Sequence, residues 1–498
     1  MTRKDAKIGA VVLAAGRSTR FRSARSKLVH ELGGRPIITW GLATLRALGV
    51  APVVVVVGSQ ADEVRAACGP HVRFAVQEKP RGTGDAVQAA ERALGGFDGS
   101  VLVLAGDLPL LRTETLQQLI DKHHASSGVL TLLTAKVAAP HGWGRIIRDG
   151  GFVRAIVEER NATAAQRAVR EVNVGVYCVR AAVLFNLLRG VTADSLSGEV
   201  YLTDIVERAV AAGIAVADVP VTLLEVGQIN TRGELAAMEK TLRAQINAHW
   251  MEMGVTLADP DTTYIGPDVT IAADAFIGPN VQLRGRTTIG ARCRLDGSAF
   301  VTDSRLDDDV HLRFGVVLTE AEIGAGCQIG PFAHLRPGTR LAEAVHIGDF
   351  VETKNTRMGR GAKANHLAYL GDAEIGPQSN IGAGTITCNY DGFGKQRTVI
   401  GARVQVGSDS TLVAPVTIGD DAYVATATTV RRDVPAGGVL VFNPRQQEER
   451  PGWVAAFRAR KQGNGAAKPT KKPAAKLARK PKPAAKKKPA VRNRSPAR

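Results

Sequence analysis

The sequence has few cysteines, and they show no regular spacing. Five cysteines are scattered over 498 residues, and none belongs to a C-x-x-C pair. An odd and dispersed set argues against a disulfide framework and against a cysteine zinc site. We therefore expect free thiols and a reducing, cytoplasmic location.

Long apolar runs are also missing. No stretch approaches the ~18 consecutive apolar residues that a membrane-spanning helix needs. The first residues, MTRKDAKIGAVVLAAG, contain a short apolar run that ends in a charged loop without a cleavage site. The sequence therefore predicts neither a membrane span nor a signal peptide.

Acidic residues are absent from the carboxyl-terminal segment. Residues 451–498 hold sixteen lysines and arginines and no aspartate or glutamate, so most of the formal net charge of +18 lies there. The rest of the chain carries only about +2. The Lys/Pro/Ala-rich composition predicts a disordered tail over 451–498, with at most a weakly bound anionic partner. Residues 468–498 contain no aromatic residue, so stacking on nucleic-acid bases is not expected.

The first 230 residues alternate strand-like and helix-like segments. Short valine-rich runs end in glycine or a polar residue at 8–16, 51–58, 72–77 and 100–107. Such alternation predicts an α/β, Rossmann-like domain whose mostly parallel sheet is covered by helices. Because ligands of these sheets bind beyond the carboxyl ends of the strands, the loops at those ends are candidate sites.

A different period follows a helical connection. Residues 231–253 lack proline and predict one helical arm. From 254 to 450 an aliphatic residue recurs at every sixth position over long stretches, which is the hexapeptide repeat of a left-handed parallel β-helix. Each hexad supplies a short strand, and its aliphatic side chain points into the core.

The repeat is interrupted three times. The interruptions lie near 302–311, 350–370 and 387–399. We expect loops that protrude from the β-helix at these places, and we expect chemistry there because the coils themselves are occupied by stacking.

Two loops of the first half have the residues of a nucleotide site. LAAGRSTRF, at 13–21, is neither G-x-x-x-x-G-K-[ST] nor G-x-G-x-x-G. Its small residues still allow backbone N–H groups to approach a ligand, and Arg17, Arg20 and Lys27 can neutralise a triphosphate. Asp107 follows a strand in LAGDLPL, and its carboxylate suits Mg²⁺ bound together with phosphates. A plain strand–turn junction and a helix cap remain the structural alternatives for the two loops.

Two segments of the second half are rich in polar residues. Residues 349–372 contain His366, whose ordinary pKa near neutrality suits a general base, although a histidine in a loop is more often structural. Three basic residues could bind a sugar phosphate, or they could form a solvated basic surface: Arg336, Lys354 and Lys395. Two further side chains could donate hydrogen bonds to a substrate or an oxyanion: Tyr369 and Asn380.

Ordered motifs carry a family resemblance over residues 7–450. These motifs are LAAG, QEKPRGTGDA, AGDLPLL, GWGRI, IVEERNAT, EVNVGVY and YLTD, followed in the second half by NYDG and GSDSTLVAPVTIG. The chain resembles the bacterial bifunctional N-acetylglucosamine-1-phosphate uridyltransferase and glucosamine-1-phosphate N-acetyltransferase. This resemblance implies acetyl transfer from acetyl-CoA, then uridylyl transfer from UTP, and it implies a homotrimer.

The resemblance also implies residue roles in the first half. Gln77, Gly82 and Thr83 would read uracil, and Asp107 with Asn230 would bind Mg²⁺. The complete set implied for UTP and UDP-N-acetylglucosamine is Leu13, Ala14, Ala15, Gly16, Arg20, Lys27, Gln77, Gly82, Thr83, Ala105, Gly106, Asp107, Gly144, Glu158, Asn173 and Asn230. Within it, the sugar would be held by Gly144, Glu158 and Asn173, and the phosphates by Arg20 and Lys27.

In the second half the resemblance makes His366 the catalytic base. It assigns the sugar phosphate to Arg336, Lys354, Tyr369, Asn380 and Lys395. It assigns acetyl-CoA to Ala383, Asn389, Tyr390, Ser408, Thr426 and Asn443.

Several positions depart from the family pattern. In the first half these are Ser18 for Gly, Phe21 for Met, Ser26 for Pro, Asp85 for His, and Ala105 for Tyr or Ser, while GQINTR replaces GVNNR. In the second half Thr426-Ala427 replaces Ala-Gly, and Asn443 replaces Arg. These departures put part of the nucleotide pocket and the CoA side in question.

Two other functions account for only part of the sequence. A nucleotidyltransferase with a merely regulatory β-helix would not need His366 together with Arg336 and Lys354. A nucleic-acid-binding scaffold would need basic residues across the whole chain, whereas the charge outside the tail is near neutral.

Overall fold

The amino-terminal half is built around a nine-stranded sheet. This computed structural model describes residues 7–16, 18–58, 61–126, 128–195, 197–437, 439–443 and 446–461. The strands of the first half are Ile8–Ala14 (β1), Glu31–Leu32 (β2), Arg35–Pro36 (β3), Val53–Val57 (β4), Arg73–Val76 (β5), Ser100–Ala105 (β6), Leu130–Lys136 (β7), Arg145–Asp149 (β8), Phe152–Val157 (β9), Glu171–Arg180 (β10) and Val216–Val221 (β11). The main path of the sheet runs β11-β7-β10-β6-β1-β4-β5, and β10 is antiparallel to both of its neighbours. The predicted, mostly parallel α/β sheet is confirmed.

Helices cover both faces of this sheet. They are Ile37–Ala47 (α1), Ala61–Cys68 (α2), Thr83–Ala89 (α3), Glu91–Leu94 (α4), Thr113–Ala125 (α5), Ala164–Arg167 (α6), Ala181–Arg189 (α7) and Asp204–Ala211 (α8), with 3-10 turns at Thr19–Phe21, Lys27–Val29 and Leu223–Val226. Val12 belongs to one apolar layer and Val11 to the other, because successive side chains of a strand point to opposite faces. Burial on both faces explains why β4 is a continuous valine run.

One long helix joins the two halves. Helix α9, Arg232–Glu252, begins at Thr231, whose side chain and that of Glu234 form a capping box. Leu242 of α9 belongs to the core of the first half, and Ile246 packs against the cores of both halves. The helix therefore carries side chains into each hydrophobic core.

The second half is a left-handed parallel β-helix with three faces. The first face contains Thr256–Leu257, Phe276–Ile277, Arg294–Leu295, His311–Leu312, Gln328–Ile329, His346–Asp349, Lys363–His366, Asn380–Ile381, Gln405–Val406, Tyr423–Val424, Val439–Asn443 and Gln446–Glu449. The second contains Tyr264–Ile265, Gln282–Arg284, Phe300–Thr302, Val317–Thr319, His334–Leu335, Glu352–Lys354, Tyr369–Gly371, Ile386–Cys388, Thr411–Val413 and Thr429–Val430. The third contains Thr270–Ile271, Thr288–Ile289, Arg305–Leu306, Glu322–Ile323, Arg340–Leu341, Arg357–Met358, Ala373–Ile375, Thr398–Ile400 and Val416–Ile418.

The hexad pattern follows from how coils stack. The aliphatic residue points inward, as at Ile277, which is fully buried. The glycine that often follows it permits close backbone approach: a Cβ on Gly278 would collide with the carbonyl oxygen of Asp296 in the next coil. Several corners place a residue at positive φ, such as Asn280 at 57°, a conformation that asparagine tolerates better than most residues.

Two of the three predicted loops are absent from the structure, so that prediction is wrong for 302–311 and 350–370. Strands continue through both ranges. In the first, a coil corner is shorter by one residue, so the inward positions Leu295, Val301, Leu306 and Leu312 lose the six-residue period without leaving the helix. In the second, inward positions are small or polar and escape an aliphatic pattern, as with Thr353 and Ala364. The third loop is confirmed, since the chain leaves the coil between Cys388 and Thr398.

The start of the predicted disordered tail forms a helix instead. Helix α10, Trp453–Lys461, places Trp453 and Phe457 in a stack whose ring centroids lie 4.8 Å apart, and both rings contact Tyr423 of the β-helix. These three aromatic rings supply the apolar contact that holds α10 against the β-helix. The basic composition of the whole segment 451–498 did not predict this contact. Residues 462–498, the rest of the predicted tail, lie outside the described residues.

Candidate active sites

The first site lies at the carboxyl ends of β1, β5 and β6. Leu13 of β1 lies beside Ala105 of β6 in parallel register. The next residue, Gly106, donates its N–H to the carbonyl oxygen of Leu13 at 2.9 Å, and a Cβ on Gly106 would stand 3.1 Å from that oxygen. The close approach of the two chains explains why small residues follow both strands. Ala14 is buried, while Ala15 is half-buried and Gly16 is exposed at the rim.

Lys27 joins residues from three distant parts of the sequence. Its ammonium donates to Asp107 Oδ2 at 2.5 Å and to Asn230 Oδ1 at 2.8 Å. The Lys27 and Asp107 side chains are only 14% and 9% exposed. A carboxylate oxygen and an amide oxygen therefore converge on one cation, at the edge where the nucleotide is expected. Among the described residues, no group of three or more His, Cys, Asp and Glu side chains is placed to hold a metal ion.

The residues expected to read the base form one hydrogen-bonded loop. Gln77 follows β5, is 7% exposed, and donates its backbone N–H to Val57 at 2.9 Å. Its side-chain amide donates to the Gly82 carbonyl at 3.0 Å and to Asp85 Oδ2 at 2.7 Å. Thr83 accepts a hydrogen bond from the backbone of Leu202 at 3.0 Å, so its hydroxyl also fixes a neighbouring segment.

The three residues expected to hold the sugar are brought together. The N–H of Asn173 donates to the Gly144 carbonyl at 2.8 Å, and a Cβ on Gly144 would lie 3.5 Å from Glu158 Oε1. Burial raises the pKa of Glu158, opposed by the hydrogen bond that Thr203 donates to it at 3.0 Å. Desolvation strengthens a carboxylate as an acceptor for sugar hydroxyls.

Arg20 is exposed at the edge of the same site. Arg17, the other arginine named for the phosphates, lies outside the described residues. The amino-terminal site therefore combines the small residues that follow β1 and β6, the Lys27 ammonium with its two acceptors, and the exposed Arg20.

The second site holds three cations close together. The Lys395 ammonium beside Lys354, together with Arg336, lowers the pKa of Lys354. Arg336 donates to Glu352 Oε1 at 2.7 Å, which neutralises it in part. A cluster with more positive than negative charge, on the surface of a β-helix, is suited to a phosphate group.

Two polar groups point at the same spot beside these cations. A Cβ on Gly371 would meet the Tyr369 hydroxyl at 2.5 Å and the Asn389 amide nitrogen at 2.7 Å. Asn389, 7% exposed, donates to Asp372 Oδ2 at 2.5 Å, and Asn355 donates to Asp372 Oδ1 at 2.6 Å. Tyr369 and Asn389 therefore lie together with the cation cluster, and Tyr390 with Lys395 closes the protruding loop by a β-bridge.

His366 lies at the corner between the first and second faces. It is exposed, and it is the last residue of its strand, opposite Asp349 of the preceding coil. Ala364 pairs with Ile381, and the same register two residues further along places His366 opposite Ala383. Asn380 begins that same next strand. Among the described residues, no hydrogen bond or ion pair joins His366 to Arg336, Lys354 or Lys395.

Three of the residues expected to bind acetyl-CoA form a row along this corner. Asp409 donates its N–H to the Ala383 carbonyl at 2.7 Å, and Ala427 donates to the Ser408 carbonyl at 2.8 Å. Ala383, Ser408 and Thr426 therefore follow one another on consecutive coils, one coil beyond His366. Asn443 ends a strand of the first face, and its side chain lies outside the described parts.

Some contributing residues are not among the predicted site residues. Asp372 orients Asn389, Glu352 pairs with Arg336, and Thr203 bonds to Glu158. Asp372 did carry a signal, because it follows a strand in a Gly-Asp pair just as Asp107 does. Thr203 lies in the YLTD motif, which assigned it no role, whereas Glu352 acts only through the fold and no local spacing distinguishes it.

Two clefts lie near residues other than the predicted site residues, and the smaller is lined by Arg145 and Glu159, the neighbours in sequence of Gly144 and Glu158. One of about 720 Å³ runs between α9 and the first coils, beside the Arg35–Asp268 ion pair. None of the predicted site residues lines it.

The fold and the two sites define the class of protein: a sugar-nucleotide-type nucleotidyltransferase domain followed by a hexapeptide β-helix. Residues 10–174 match the model of the MobA-like NTP transferase domain, and residues 260–355 match that of the GMPPB C-terminal domain. The chain is 46% identical over 454 residues to the bifunctional protein GlmU of Pelobacter propionicus, covering 90% of this chain and 98% of the relative. It is 46% identical to that of Trichlorobacter lovleyi, covering 89% and 97%, and 44% identical to that of Geobacter sulfurreducens, covering 90% and 98%.

The chain belongs to the family of the bifunctional protein GlmU. The family resemblance carried by the sequence motifs is thereby confirmed. No helix among the described residues is long and apolar enough to cross a membrane.

Proposed function

We propose that this enzyme makes UDP-N-acetylglucosamine by two group transfers at the two sites described above. The β-helix transfers the acetyl group of acetyl-CoA to the amine of glucosamine 1-phosphate. The amino-terminal domain then transfers uridylyl from UTP to N-acetylglucosamine 1-phosphate and releases pyrophosphate. The observation that carries the proposal is the convergence of Lys27, Asp107 and Asn230 in one domain, and of Arg336, Lys354 and Lys395 in the other.

Uridylyl transfer needs positioning and charge neutralisation. A phosphate oxygen of N-acetylglucosamine 1-phosphate attacks the α-phosphorus of UTP, and the bond to the β-phosphate oxygen breaks. Both reactants are anions, so Lys27 and Arg20 lower the repulsion between them. No protein nucleophile is required.

A magnesium ion fits the oxygen pair of Asp107 and Asn230. Both oxygens bind one cation in this structure, the Lys27 ammonium, and oxygen ligands are those that Mg²⁺ prefers. When bound, Mg²⁺ would supply neutralisation of the phosphate charge. Lys27 holds the two oxygens at one place before any ligand arrives.

Acetyl transfer needs a base and a site for the phosphate. The substrate amine attacks the thioester carbonyl, the C–S bond breaks, and the amine loses a proton. His366 accepts that proton, since its ordinary pKa lies near neutrality. Arg336, Lys354 and Lys395 bind the sugar phosphate, Tyr369 and Asn380 orient the sugar, and the row Ala383, Ser408 and Thr426 lies along the path for CoA.

We place these acetyl-transfer sites between the subunits of a homotrimer. His366 makes no contact with the cation cluster among the described residues. Beside His366, an exposed apolar ladder runs along the same corner: Phe314, Phe332, Phe350 and Leu367, between 46% and 63% exposed. Phe332 and Phe350 stack with their ring centroids 5.4 Å apart. An apolar ridge of this kind is suited to burial against another copy of the β-helix.

We also place the enzyme in the cytoplasm, where its product would serve cell-wall and lipopolysaccharide synthesis. All five cysteines are unpaired, which suits a reducing compartment. The basic segment 468–498 would at most bind weakly to an anionic partner, and its removal should leave both activities intact.

A coupled assay tests the proposal. Glucosamine 1-phosphate, acetyl-CoA, UTP and Mg²⁺ are supplied together, and N-acetylglucosamine 1-phosphate, pyrophosphate and UDP-N-acetylglucosamine are each followed. All three products are expected. Pyrophosphate release that needs added N-acetylglucosamine 1-phosphate, without any acetyl transfer, would instead favour the nucleotidyltransferase whose β-helix is regulatory.

A further inference from the structure

The side-chain amide of Gln77 is held in one orientation by its partners. The amide nitrogen donates to the Gly82 carbonyl and to the Asp85 carboxylate, at 3.0 and 2.7 Å. Both partners can only accept hydrogen bonds, so only the amide nitrogen can face them. The orientation of the amide therefore follows from the chemistry of its two partners.

This arrangement leaves one polar atom of the side chain open. The two N–H groups are used, and no donor among the described residues engages Oε1. The backbone of Gln77 lies close to the loop that follows β1. Its N–H donates to the carbonyl of Val57, and a Cβ on Gly58, the residue after Val57, would lie 2.8 Å from the Ala15 carbonyl. The amide oxygen is thus a fixed hydrogen-bond acceptor at the nucleotide site.

We infer that Asp85 sets the choice of base by holding Gln77 with its oxygen toward the nucleotide. This inference rests on the proposed uridylyl transfer. Uracil carries an N–H at ring position 3, which can donate to Oε1, whereas cytosine has a lone pair at that position and would be repelled. An amide turned over by half a rotation would present N–H and would suit cytosine instead.

Gly82 alone does not fix the amide. With only the Gly82 carbonyl as partner, the Gln77 side chain can rotate at the loss of a single neutral hydrogen bond. The Asp85 carboxylate adds a charge-assisted bond and would oppose an approaching amide oxygen. Since the family usually has histidine at this position, the carboxylate is a feature of this chain. Asp85 is a positioning residue, because it acts on the base through Gln77.

The test compares UTP with CTP in three proteins. The ratio of kcat/KM for UTP to that for CTP is measured by pyrophosphate release with N-acetylglucosamine 1-phosphate, in the wild type, Asp85→Ala and Asp85→Asn. Asp85→Ala should lower the ratio by about tenfold or more, because the amide can turn over. Asp85→Asn keeps an acceptor oxygen and should keep the ratio within about threefold.

A matched pair elsewhere provides the control. On α5 the exposed Gln117 donates to Asp121 Oδ1 at 2.9 Å, so Asp121→Ala removes a similar bond far from the site and should leave the ratio unchanged. If Asp85→Ala folds poorly, Asp85→Leu restores the lost volume, and the same drop is expected.

The outcomes separate the inference from the proposed function. A wild type that releases no pyrophosphate from UTP would overturn the proposed function itself. A wild type that prefers UTP, with the ratio unchanged in Asp85→Ala, would overturn the role of Asp85 alone. An equal drop in Asp85→Asn and Asp85→Ala would also overturn it, since the acceptor would then not be the deciding property.

Discussion

The two halves of this chain solve the problem of binding a phosphorylated sugar in different ways. In the sheet domain the site residues follow the carboxyl ends of parallel strands, and Lys27, Asp107 and Asn230 come together from turns far apart in sequence. In the β-helix most site residues stand within the coils, where stacking places them one above another, and Lys395 comes from the loop that protrudes after Cys388. In a sheet, the order of the strands brings distant side chains to one edge. In a β-helix, the register between stacked coils aligns the side chains.

The difference extends to charge. The lysine of the first site is paired with acceptors of this chain, while Lys354 and Lys395 of the second repel each other until an anion arrives. The first site is therefore ordered before the ligand binds. In the second site, the negative charge of a bound phosphate would balance a large part of the positive charge.

The largest expected effect separates the two halves by function. His366→Ala should lower acetyl transfer by about 10³-fold, because the amine loses its proton acceptor, and should leave uridylyl transfer unchanged. Asp107→Ala should do the reverse. Both activities are measured on each purified variant, with glucosamine 1-phosphate and with N-acetylglucosamine 1-phosphate. Near wild-type acetyl transfer in His366→Ala would show that another group is the base.

A second prediction contrasts the exposed His366 with a buried histidine of the sheet domain. His123 is fully buried, with its ring nitrogens bonded to the hydroxyls of Ser100 and Thr131 at 2.9 and 3.1 Å. Burial lowers the pKa of His123 to about 4, with help from His124 and Arg180. Because the folded pKa is lowered, the neutral ring stabilises the fold above the unfolded pKa of about 6.5. That stability, about 3 kcal/mol, is lost as the pH falls toward 4.

The measurement is the urea midpoint of the sheet domain at neutral and at acidic pH. His123→Gln removes the titrating ring and should flatten this dependence, at the cost of lower stability at neutral pH. His124→Gln, on the adjacent position, is the control and should retain the acid sensitivity. An equal acid sensitivity in His123→Gln and the wild type would exclude His123 as its source.

A third, smaller effect concerns the close backbone approach at Gly82, in the loop that we propose reads uracil. Gly82 has φ of 105°, and a Cβ there would lie 2.5 Å from the Val200 carbonyl. Gly82→Ala should therefore displace the loop and lower kcat/KM for UTP by about 30-fold, since backbone strain of this kind costs about 1–3 kcal/mol. Gly69→Ala is the matched control: its φ is also positive, at 73°, but no atom lies within 4 Å of the added Cβ. Acetyl transfer should be unchanged in both variants.

How far the sequence predicts this molecule depends on the kind of signal. The hexapeptide repeat predicts the β-helix because one aliphatic side chain of each hexad points into the core. It does not reveal the coils at 350–370, because Thr353 and Ala364 occupy inward positions there and are not large aliphatic residues. The Val-rich strands predict the parallel sheet. Motifs predict Asp107, Gln77 and His366. The role of a partner such as Glu352 could not be predicted, because it depends on a contact across coils that only the fold creates.

The smallest expected effect tests how the second site is held without its ligand. Lys395→Met removes the ammonium that lowers the pKa of Lys354. KM for glucosamine 1-phosphate should rise about tenfold, because the protein loses one positive charge that binds the phosphate. The value of kcat should change little. In the wild type KM should rise as the pH rises through the lowered pKa of Lys354. In Lys395→Met that rise should begin at a higher pH, because the repelling charge is gone. Lys363→Met is the control, because the exposed Lys363 is neither a predicted sugar-phosphate residue nor a predicted acetyl-CoA residue. If the pH dependence of KM in Lys395→Met matched that of the wild type, the two lysines would not act on one phosphate.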